Sequence, residues 1–432
     1  MKAGSKNNLL SILFVALSGT LVFLMIRQVL RGYDKGSWQI TEWLINYQGG
    51  FVRRGLTGEL IFLAHKYFNL DPYLLIVASC AIFLAVLFVV FIILFRKKGL
   101  PIFIIPFVFF LGNPIINDFW ARKDVFGVLV FSLAVYLTTI KSRWRYLLIN
   151  FTLVFGILTH ESIGFFSLPV IFLLTFSDLR SRYPRKNKTL IFSFLTVIPA
   201  LIAFLSTLYF KGSALISQKI WNSWQGIGFP LDSGSIIPVA AIDALSWSLG
   251  RGLGVTRSLL SNFNGGIYAP LAWLLIILAI YLILTNLHCF KMKRIGSKEK
   301  GAEMKDNLPM ILLFQLLCVS PLFILGWDYG RWVFIWVASS FSLALILPEP
   351  TISNLGLGVF KKFGLVLNNA SSQILGRRPG LVVVMAVLIG VPLYSWTLVD
   401  FLKTNSLVLI FRNILPIKEW FYFFKIWSAN FF

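Results

Sequence analysis

Four short motifs combine acidic and basic residues at the ends of apolar segments, and they contain the residues best suited to chemistry. They are GGFVRRGLTGE at 49–59, NDFWARKD at 117–124, THES at 159–162 and GWDYGRW at 326–332. Arginine pairs bind phosphate groups through paired hydrogen bonds, while histidine and carboxylates exchange protons with hydroxyl groups. Together the motifs predict a site that binds an anion and moves a proton.

The pair Arg53 and Arg54 lies in the glycine-rich motif at 49–59. Two guanidinium groups can hold a diphosphate, and neighbouring glycines allow the backbone to approach a ligand closely. We therefore predict that Arg53 and Arg54 bind a diphosphate, with Arg122 and Arg331 as further ligands. The alternative is that the arginine pair anchors the chain by reaching ordinary lipid phosphates.

His160 and Glu161 interrupt an apolar stretch that otherwise runs from 147 to 176. A full charge at membrane depth costs about 2.5–3.5 kcal/mol, so an ionisable pair there indicates a function. Histidine is a natural base for a hydroxyl group. We predict that His160, assisted by Glu161, accepts a proton. Alternatively, His160 is a satisfied turn residue and Glu161 complements the dipole of the following helix.

The remaining acids are spaced to interact with arginines or with a substrate. Asp118 lies four residues before Arg122, and Asp328 lies three before Arg331, so each pair shares one helical face. Asp328 is a predicted catalytic residue that orients a substrate hydroxyl, unless it forms only a structural ion pair. Asp124 begins an apolar segment and either caps its helix or belongs to the site. Supporting roles are predicted for three acids, Glu59, Asp118 and Asp124.

The composition places these motifs in a membrane protein. Of 432 residues, 57% are hydrophobic and 13% are charged, with a mean hydropathy of +0.80. The net charge of +23 comes from short basic clusters between apolar segments, which is typical of topology signals rather than of a nucleic-acid surface. We therefore expect membrane lipids, and no nucleic acid, as partners.

The sequence contains no motif for a common cofactor. Walker, Rossmann and HExxH patterns do not occur, and neither does a Cys/His cluster with metal-ligand spacing. The three cysteines lie in or at the end of apolar segments, at Cys80, Cys289 and Cys318. We expect no cofactor and no metal centre, although a divalent cation on Asp34, Glu42 or Glu59 remains an open alternative.

Apolar segments predict an all-α, polytopic integral membrane protein with about eleven transmembrane helices, within a range of roughly 10–12. The segments lie at 9–30, 72–95, 100–117, 125–140, 145–159, 162–177, 188–210, 267–289, 308–326, 333–348 and 379–399. Residues 1–432 are interpreted as a single membrane domain that closes with an amphipathic aromatic tail at 405–432.

Basic residues concentrate in alternate loops, among them 290–307 and 349–378. The positive-inside rule places these loops and the N-terminus in the cytoplasm. The long segments 31–71 and 211–266 then lie outside, and the first of them is expected to form amphipathic helices. With this orientation, the four motifs are predicted to meet at the external ends of helices.

The segment SWQITEWLINYQGGFVRRGLTGELIFLAHKYF, together with the layout of the whole chain, resembles the GT-C class of multispanning glycosyltransferases. In that class an initial helix is followed by a first external loop with amphipathic helices, and the active site faces outward. Within the class, the sequence looks most like bacterial O-antigen or capsule polysaccharide polymerases and ligases. It departs from them in that its long external loop precedes the eighth helix instead of lying late in the chain.

This resemblance implies a multi-pass enzyme of the bacterial cytoplasmic (inner) membrane with an external or periplasmic active face. It implies a polyprenyl-diphosphate-linked glycan as donor, with the arginines stabilising the leaving diphosphate and His160 taking the acceptor proton. A rival interpretation is a transporter or flippase for an anionic lipid-linked or small solute that uses the same arginines. A third is a non-catalytic membrane scaffold.

Overall fold

The computed structural model describes residues 26, 30, 32–98, 119–182, 186–229, 236–262, 268–286, 302–326 and 328–375. In chain order, the helices of these residues are α1 Trp38–Thr41, α2 Gly55–Phe68, α3 Pro72–Lys98, α4 Asp124–Thr139, α5 Arg145–Thr159, α6 Ser162–Arg182, α7 Lys186–Tyr209, α8 Ala214–Gly226, α9 Ala240–Asp243, α10 Leu249–Asn262, α11 Tyr268–Thr285, α12 Ala302–Leu325, α13 Tyr329–Ile346, α14 Glu349–Ser353 and α15 Gly358–Ile374. A turn of 3₁₀ helix, Ala244–Ser246, continues α9.

The prediction of an all-α, multi-pass membrane protein is confirmed. Eight predicted spans coincide with α3, α4, α5, α6, α7, α11, α12 and α13. Five of these, α3, α6, α7, α12 and α13, contain stretches long and apolar enough to cross a membrane. The predicted spans at 100–117 and 379–399, the tail at 405–432 and nearly all of 9–30 lie outside the described residues.

Helix α13 lies at the centre of the bundle, with 94% of its apolar window buried. It packs against α12, α4 and α3, and α12 in turn contacts α6 and α15. This helix carries three serines among its apolar residues, and protein neighbours cover nearly all of it. Its buried hydroxyls are satisfied locally or across helices, as where Gln315 Nε2 donates to Ser339 Oγ at 2.9 Å.

Helices α3 and α7 present the opposite pattern, with only 33% and 28% of their apolar windows buried. Large apolar side chains of α3 are exposed, including Leu74, Ile82 and Ile93. Exposed apolar side chains along the full length of a helix are stable when lipid surrounds it. We therefore infer that α3 and α7 form part of the lipid-facing surface.

The two segments predicted to be external pack together over one end of the bundle. Trp224 Nε1 of α8 donates to Leu44 O at 2.8 Å, and Asn46 Nδ2 donates to Ser223 Oγ at 3.0 Å. Trp43 Nε1 donates to Ala121 O at 2.7 Å, which ties the first segment to the chain leading into α4. Buried tryptophans with satisfied N–H groups give this layer a defined position above the helix ends.

Replacing Gly58 in α2 by alanine should destabilise this layer. A Cβ atom at Gly58 would lie 1.9 Å from Ile45 O and 2.7 Å from Trp43 O, both backbone atoms that cannot rotate away. Overpacking of this kind costs about 1–3 kcal/mol. Thermal unfolding in detergent should show a lower midpoint for Gly58→Ala. The matched control is Gly226→Ala in α8, where the new methyl group meets open space; equal midpoints for the two variants would contradict the packing argument.

Candidate functional site

The described parts of all four motifs meet at one end of the bundle because of how the helices alternate. Arg54 immediately precedes α2, Asp124 is the first residue of α4, and Asp328 immediately precedes α13. Glu161 lies in the short connection between the end of α5 and the start of α6. Consecutive antiparallel helices bring these starts and ends to the same level, so the predicted convergence is observed.

Arg54 and Glu161 form the strongest contact of the site. Arg54 Nε donates to both carboxylate oxygens of Glu161, at 3.0 and 2.8 Å, and Nη2 donates to Oε1 at 2.5 Å. Arg53 Nη1 lies 3.6 Å from the same oxygen. Burial alone would raise the pKa of the Glu161 carboxyl, but Arg54, with smaller contributions from His160 and Arg53, lowers it far below its usual value. The arginine pair thus holds Glu161 ionised.

Glu42 is a second carboxylate of this network, and the sequence identified it only as a possible cation ligand. It accepts from Arg122 Nε at 2.8 Å, and its Oε1 lies 3.1 Å from His160 Nε2 and 3.6 Å from Arg54 Nη1. The residue is 0% exposed. Burial opposes its ionisation, but Arg122 and His160 outweigh burial and hold the pKa of Glu42 well below the usual value. The sequence signal for this role was that Glu42 is the one acid in the mostly aromatic and aliphatic segment 38–47.

The hydrogen bonds of His160 define its protonation pattern. Its Nδ1 accepts from the backbone N–H of Ser162 at 3.2 Å and lies 2.8 Å from Ser162 Oγ. Because Nδ1 is an acceptor, the neutral ring carries its proton on Nε2 and donates it to Glu42. Burial and the charge of Arg54 keep the pKa of His160 below its usual value. Both ring nitrogens are therefore engaged, and the side chain positions Glu42.

Lys123 is a site residue that sequence reasoning did not select. Its Nζ donates to Arg54 O at 3.2 Å and to Thr159 O at 3.1 Å, and it lies 5.2 Å from the centre of the Trp43 ring. Burial lowers the pKa of Lys123 to about 7, although Glu42 opposes that shift. The lysine joins the backbone of the arginine motif to the end of α5, which fixes the position of Arg54 relative to Glu161.

Arg331 forms a second ion-pair cluster beside the first. It donates from Nε and Nη2 to the two oxygens of Asp124, at 2.6 and 2.8 Å, and from Nη1 to Asp328 Oδ2 at 2.6 Å. The predicted contact between Asp328 and Arg331 is thus present, and Asp124 pairs with Arg331 without capping its own helix. Since Arg331 is engaged on both sides, it ties the start of α4 to the start of α13.

Glu59 and Asp118 are the other two acids with predicted supporting roles. Glu59 accepts from Tyr47 N at 2.8 Å and from Gln48 Nε2 at 2.7 Å, so it closes the loop that carries Arg53 and Arg54. Asp118, predicted to pair with Arg122, lies outside the described residues.

The three residues considered as cation ligands do not share one location. The Asp34 carboxylate accepts from Gly36 N at 3.0 Å in a local turn, whereas Glu42 pairs with Arg122 and Glu59 with the 47–48 backbone and amide. Within the described part of the chain, no group of three or more His, Cys, Asp or Glu residues is arranged to hold a metal ion.

Exposure distinguishes the groups that a ligand can reach from those that only support them. The side chains of Arg53, Arg54 and Arg122 are 27%, 20% and 13% exposed, against 9% for Glu161 and 0% for Glu42. Three guanidinium groups therefore share two carboxylates and lie nearest the surface. Arg53 Nε is buried without a hydrogen-bond acceptor among the described residues. Such a cluster has an excess of positive charge, which suits a multivalent anion.

Comparison with known proteins identifies a membrane family and no activity. A family model described as "Uncharacterised membrane protein Rv1490" matches residues 9–224, which include the Arg54–Glu161 and Glu42–Arg122 contacts but not Asp328 or Arg331. No curated protein and no solved structure matches the chain.

Proposed function

Since this chain belongs to the uncharacterised membrane protein family Rv1490, we propose its function from its own residues: a membrane glycosyltransferase acting on a polyprenyl-diphosphate-linked glycan. In this proposal the reaction takes place at the external face of the cytoplasmic membrane during surface polysaccharide assembly. The observation that carries the proposal is the cluster of three partly exposed arginine side chains on two buried carboxylates at one end of the helix bundle.

The arginine cluster suits a diphosphate better than a single phosphate. A diphosphate offers several oxygens along its length, so it can contact Arg53 and Arg54 at the same time. Arg53 has the most exposed side chain of the three arginines, at 27%. Arg54 is already held in place through its backbone oxygen by Lys123. Donors fixed in advance stabilise the charge that develops on a leaving diphosphate without reorganising during the reaction.

Glu161 is the group that accepts the proton in this proposal. His160 has no free nitrogen, because Ser162 occupies Nδ1 and Glu42 receives the proton of Nε2. Glu161 is the more exposed of the two network carboxylates and is held as an anion by the arginines. A diphosphate that binds both arginines withdraws the hydrogen bonds of Arg54 and the positive charge of Arg53 from Glu161. The carboxylate then loses the charges that lower its pKa and becomes a stronger base.

The bond changes follow from this arrangement. An acceptor hydroxyl oxygen attacks the anomeric carbon of the donor sugar, and the bond from that carbon to the diphosphate oxygen breaks. The electron pair of the broken bond stays on the diphosphate, where Arg53 and Arg54 stabilise it, and the hydroxyl proton passes to Glu161. Asp328, whose side chain is 29% exposed beside Arg331, orients a sugar hydroxyl.

Reconstitution tests the proposal directly. The full chain in liposomes should elongate or transfer a glycan supplied on polyprenyl diphosphate. Arg53→Lys keeps one positive charge but removes the second guanidinium donor, so we expect transfer to fall about tenfold or more. Arg251→Lys in α10 is the matched control, because this exposed arginine contacts Trp247 and no residue of the site.

The outcomes separate the candidate functions. Transfer that depends on Arg53 supports the enzyme. Movement of the lipid-linked glycan between leaflets without any transfer would replace the proposal by the flippase interpretation. Equal transfer by Arg53→Lys and the wild-type chain would exclude the arginine pair as the diphosphate site.

A further inference from the structure

A polar cavity lies at the end of the bundle opposite the arginine cluster. Its volume is about 680 Å³, and it is lined by Thr138, Thr139, Lys141, Ser142, Arg143, Arg145, Tyr146, Asp178, Leu347, Pro348 and Thr351. These residues come from the end of α4, the connection from α4 to α5, the start of α5, the end of α6 and the chain after α13, including α14. Since α4, α5, α6 and α13 each have their other end at the arginine cluster, the two sites are separated by the length of the bundle.

One side of the cavity is rigid and electrically balanced. Arg145 forms an ion pair with Asp178. The Tyr146 hydroxyl donates to Asp178 Oδ2 at 2.7 Å and lies 2.8 Å from Arg145 Nη2. Arg145 is buried. This triad joins α5 to α6 and forms a fixed wall, so the acid of the cavity is already compensated.

The other side of the cavity has an excess of positive charge. Lys141 and Arg143 are exposed and have no acidic partner within the described part of the chain. Arg143 is held over the Trp144 ring, with its guanidinium carbon 5.4 Å from the ring centre. Two uncompensated cations beside a preformed cavity attract a group that carries negative charge.

The surface next to the cavity favours a lipid as the source of that group. The first turns of α5 expose four large apolar side chains, Trp144, Leu147, Leu148 and Phe151. This face continues directly from Arg143 and belongs to a helix of the membrane bundle, so acyl chains can lie along it. Leu347 and Pro348 add an apolar part to the cavity lining. A polar cavity that adjoins a lipid-facing strip matches a headgroup and its chains.

We propose that this cavity binds the phosphate group of an anionic membrane lipid, with Lys141 and Arg143 as its cationic ligands. The Ser142 hydroxyl lines the same space and accepts from Trp144 N at 3.2 Å, so its own O–H can donate to the phosphate. The hydroxyls of Thr138 and Thr139 also line the cavity, but they donate to Val135 O and Tyr136 O. The site is independent of the proposed transferase activity, since none of its residues contacts the arginine cluster among the described interactions.

Lipid binding by the purified full-length chain tests this proposal. Delipidated protein in detergent is titrated with phosphatidylglycerol and, separately, with phosphatidylcholine, and bound lipid is counted by native mass spectrometry. We expect saturable binding of phosphatidylglycerol only. The double variant Lys141→Gln with Arg143→Gln should raise the apparent Kd about tenfold or more, because each basic residue near an anionic lipid contributes substantially.

The matched control removes the same charge from the same end of the bundle. Lys97 and Lys98 are exposed in the last turn of α3 and do not line the cavity. An equal loss of phosphatidylglycerol binding by Lys97→Gln with Lys98→Gln would overturn the proposal in favour of general surface charge. Absence of saturable binding by the wild-type chain would also overturn it. Displacement of the lipid by equimolar inorganic phosphate would assign the cavity to a soluble phosphate.

Discussion

Replacing Glu161 by glutamine should abolish most glycosyl transfer while strengthening the binding of pyrophosphate. The amide keeps the shape of the side chain and one acceptor oxygen, but it cannot take a proton from a hydroxyl group. Loss of a general base costs about 10²–10⁴ in rate. The same change removes the anion that occupies Arg54 in the free protein. Inorganic pyrophosphate should therefore bind about tenfold more tightly, since it no longer competes with a charge-assisted hydrogen bond.

Two measurements on the same preparation separate this proposal from simpler ones. Transfer is measured in liposomes, and pyrophosphate binding by calorimetry in detergent. His160→Gln serves as the comparison. If His160 were the base, this variant would reduce transfer as strongly as Glu161→Gln. If His160 only positions Glu42, the variant should reduce transfer less. Asp71→Asn removes an exposed carboxylate of the same segment and should change neither quantity. Unchanged pyrophosphate binding by Glu161→Gln would contradict the competition between carboxylate and diphosphate.

Replacing Glu42 by glutamine should cause the largest loss of stability. Glu42 is fully buried, and its carboxylate neutralises Arg122 while accepting a hydrogen bond from His160. Removing one partner of a buried ion pair costs about 3–5 kcal/mol, because the other charge remains in a poorly solvated position. The midpoint of thermal unfolding in detergent should fall by about 3–6 °C. Glu59→Gln, at a partly exposed position, should lower it much less.

A double variant and a pH series test the cause of that loss. Glu42→Gln combined with Arg122→Gln removes both charges, so its unfolding midpoint should lie between those of Glu42→Gln and the wild type. If the loss were purely steric, the second substitution would not raise the midpoint. The pKa of Glu42 in the folded protein lies below its ordinary value of 4.5. The contribution of its ionised carboxylate to the free energy of unfolding is therefore complete at neutral pH and is lost as the pH falls below about 4.5. The difference between wild type and Glu42→Gln should shrink over that range.

Local features of the site were predictable from sequence, whereas the partners of most side chains were not. Spacing of three residues was enough to predict the contact between Asp328 and Arg331, because a helical turn brings such residues together. Hydropathy was likewise enough to predict eight described spans. Arg54 and Glu161 are 107 residues apart, and which acid meets which arginine depends on how α2 rests on the ends of α5 and α6.

The ion-pair role of Glu42, which was considered only as a cation ligand, and the role of Lys123 were not predicted for a related reason. Both residues are buried where the described residues of the segment 32–71 meet the helix ends, and charged residues are expected at the surface unless they are paired. Lys123 was read with its neighbours Arg122 and Asp124, but its contacts are backbone oxygens of two other motifs. A pattern of residue types along one segment carries no information about such contacts.

The bidentate contact between Arg54 and Glu161 has a consequence for ligand selection. A carboxylate tethered beside a guanidinium group acts as an internal competitor at a high effective concentration. Any anion that binds must displace it, so its observed affinity is reduced by the fraction of molecules in which the contact is open. Phospholipids with a single phosphate greatly outnumber diphosphate carriers in a membrane. Under the proposed function, this internal competitor sets a threshold that we expect a weakly charged headgroup to fail to pass and a diphosphate contacting both Arg53 and Arg54 to exceed.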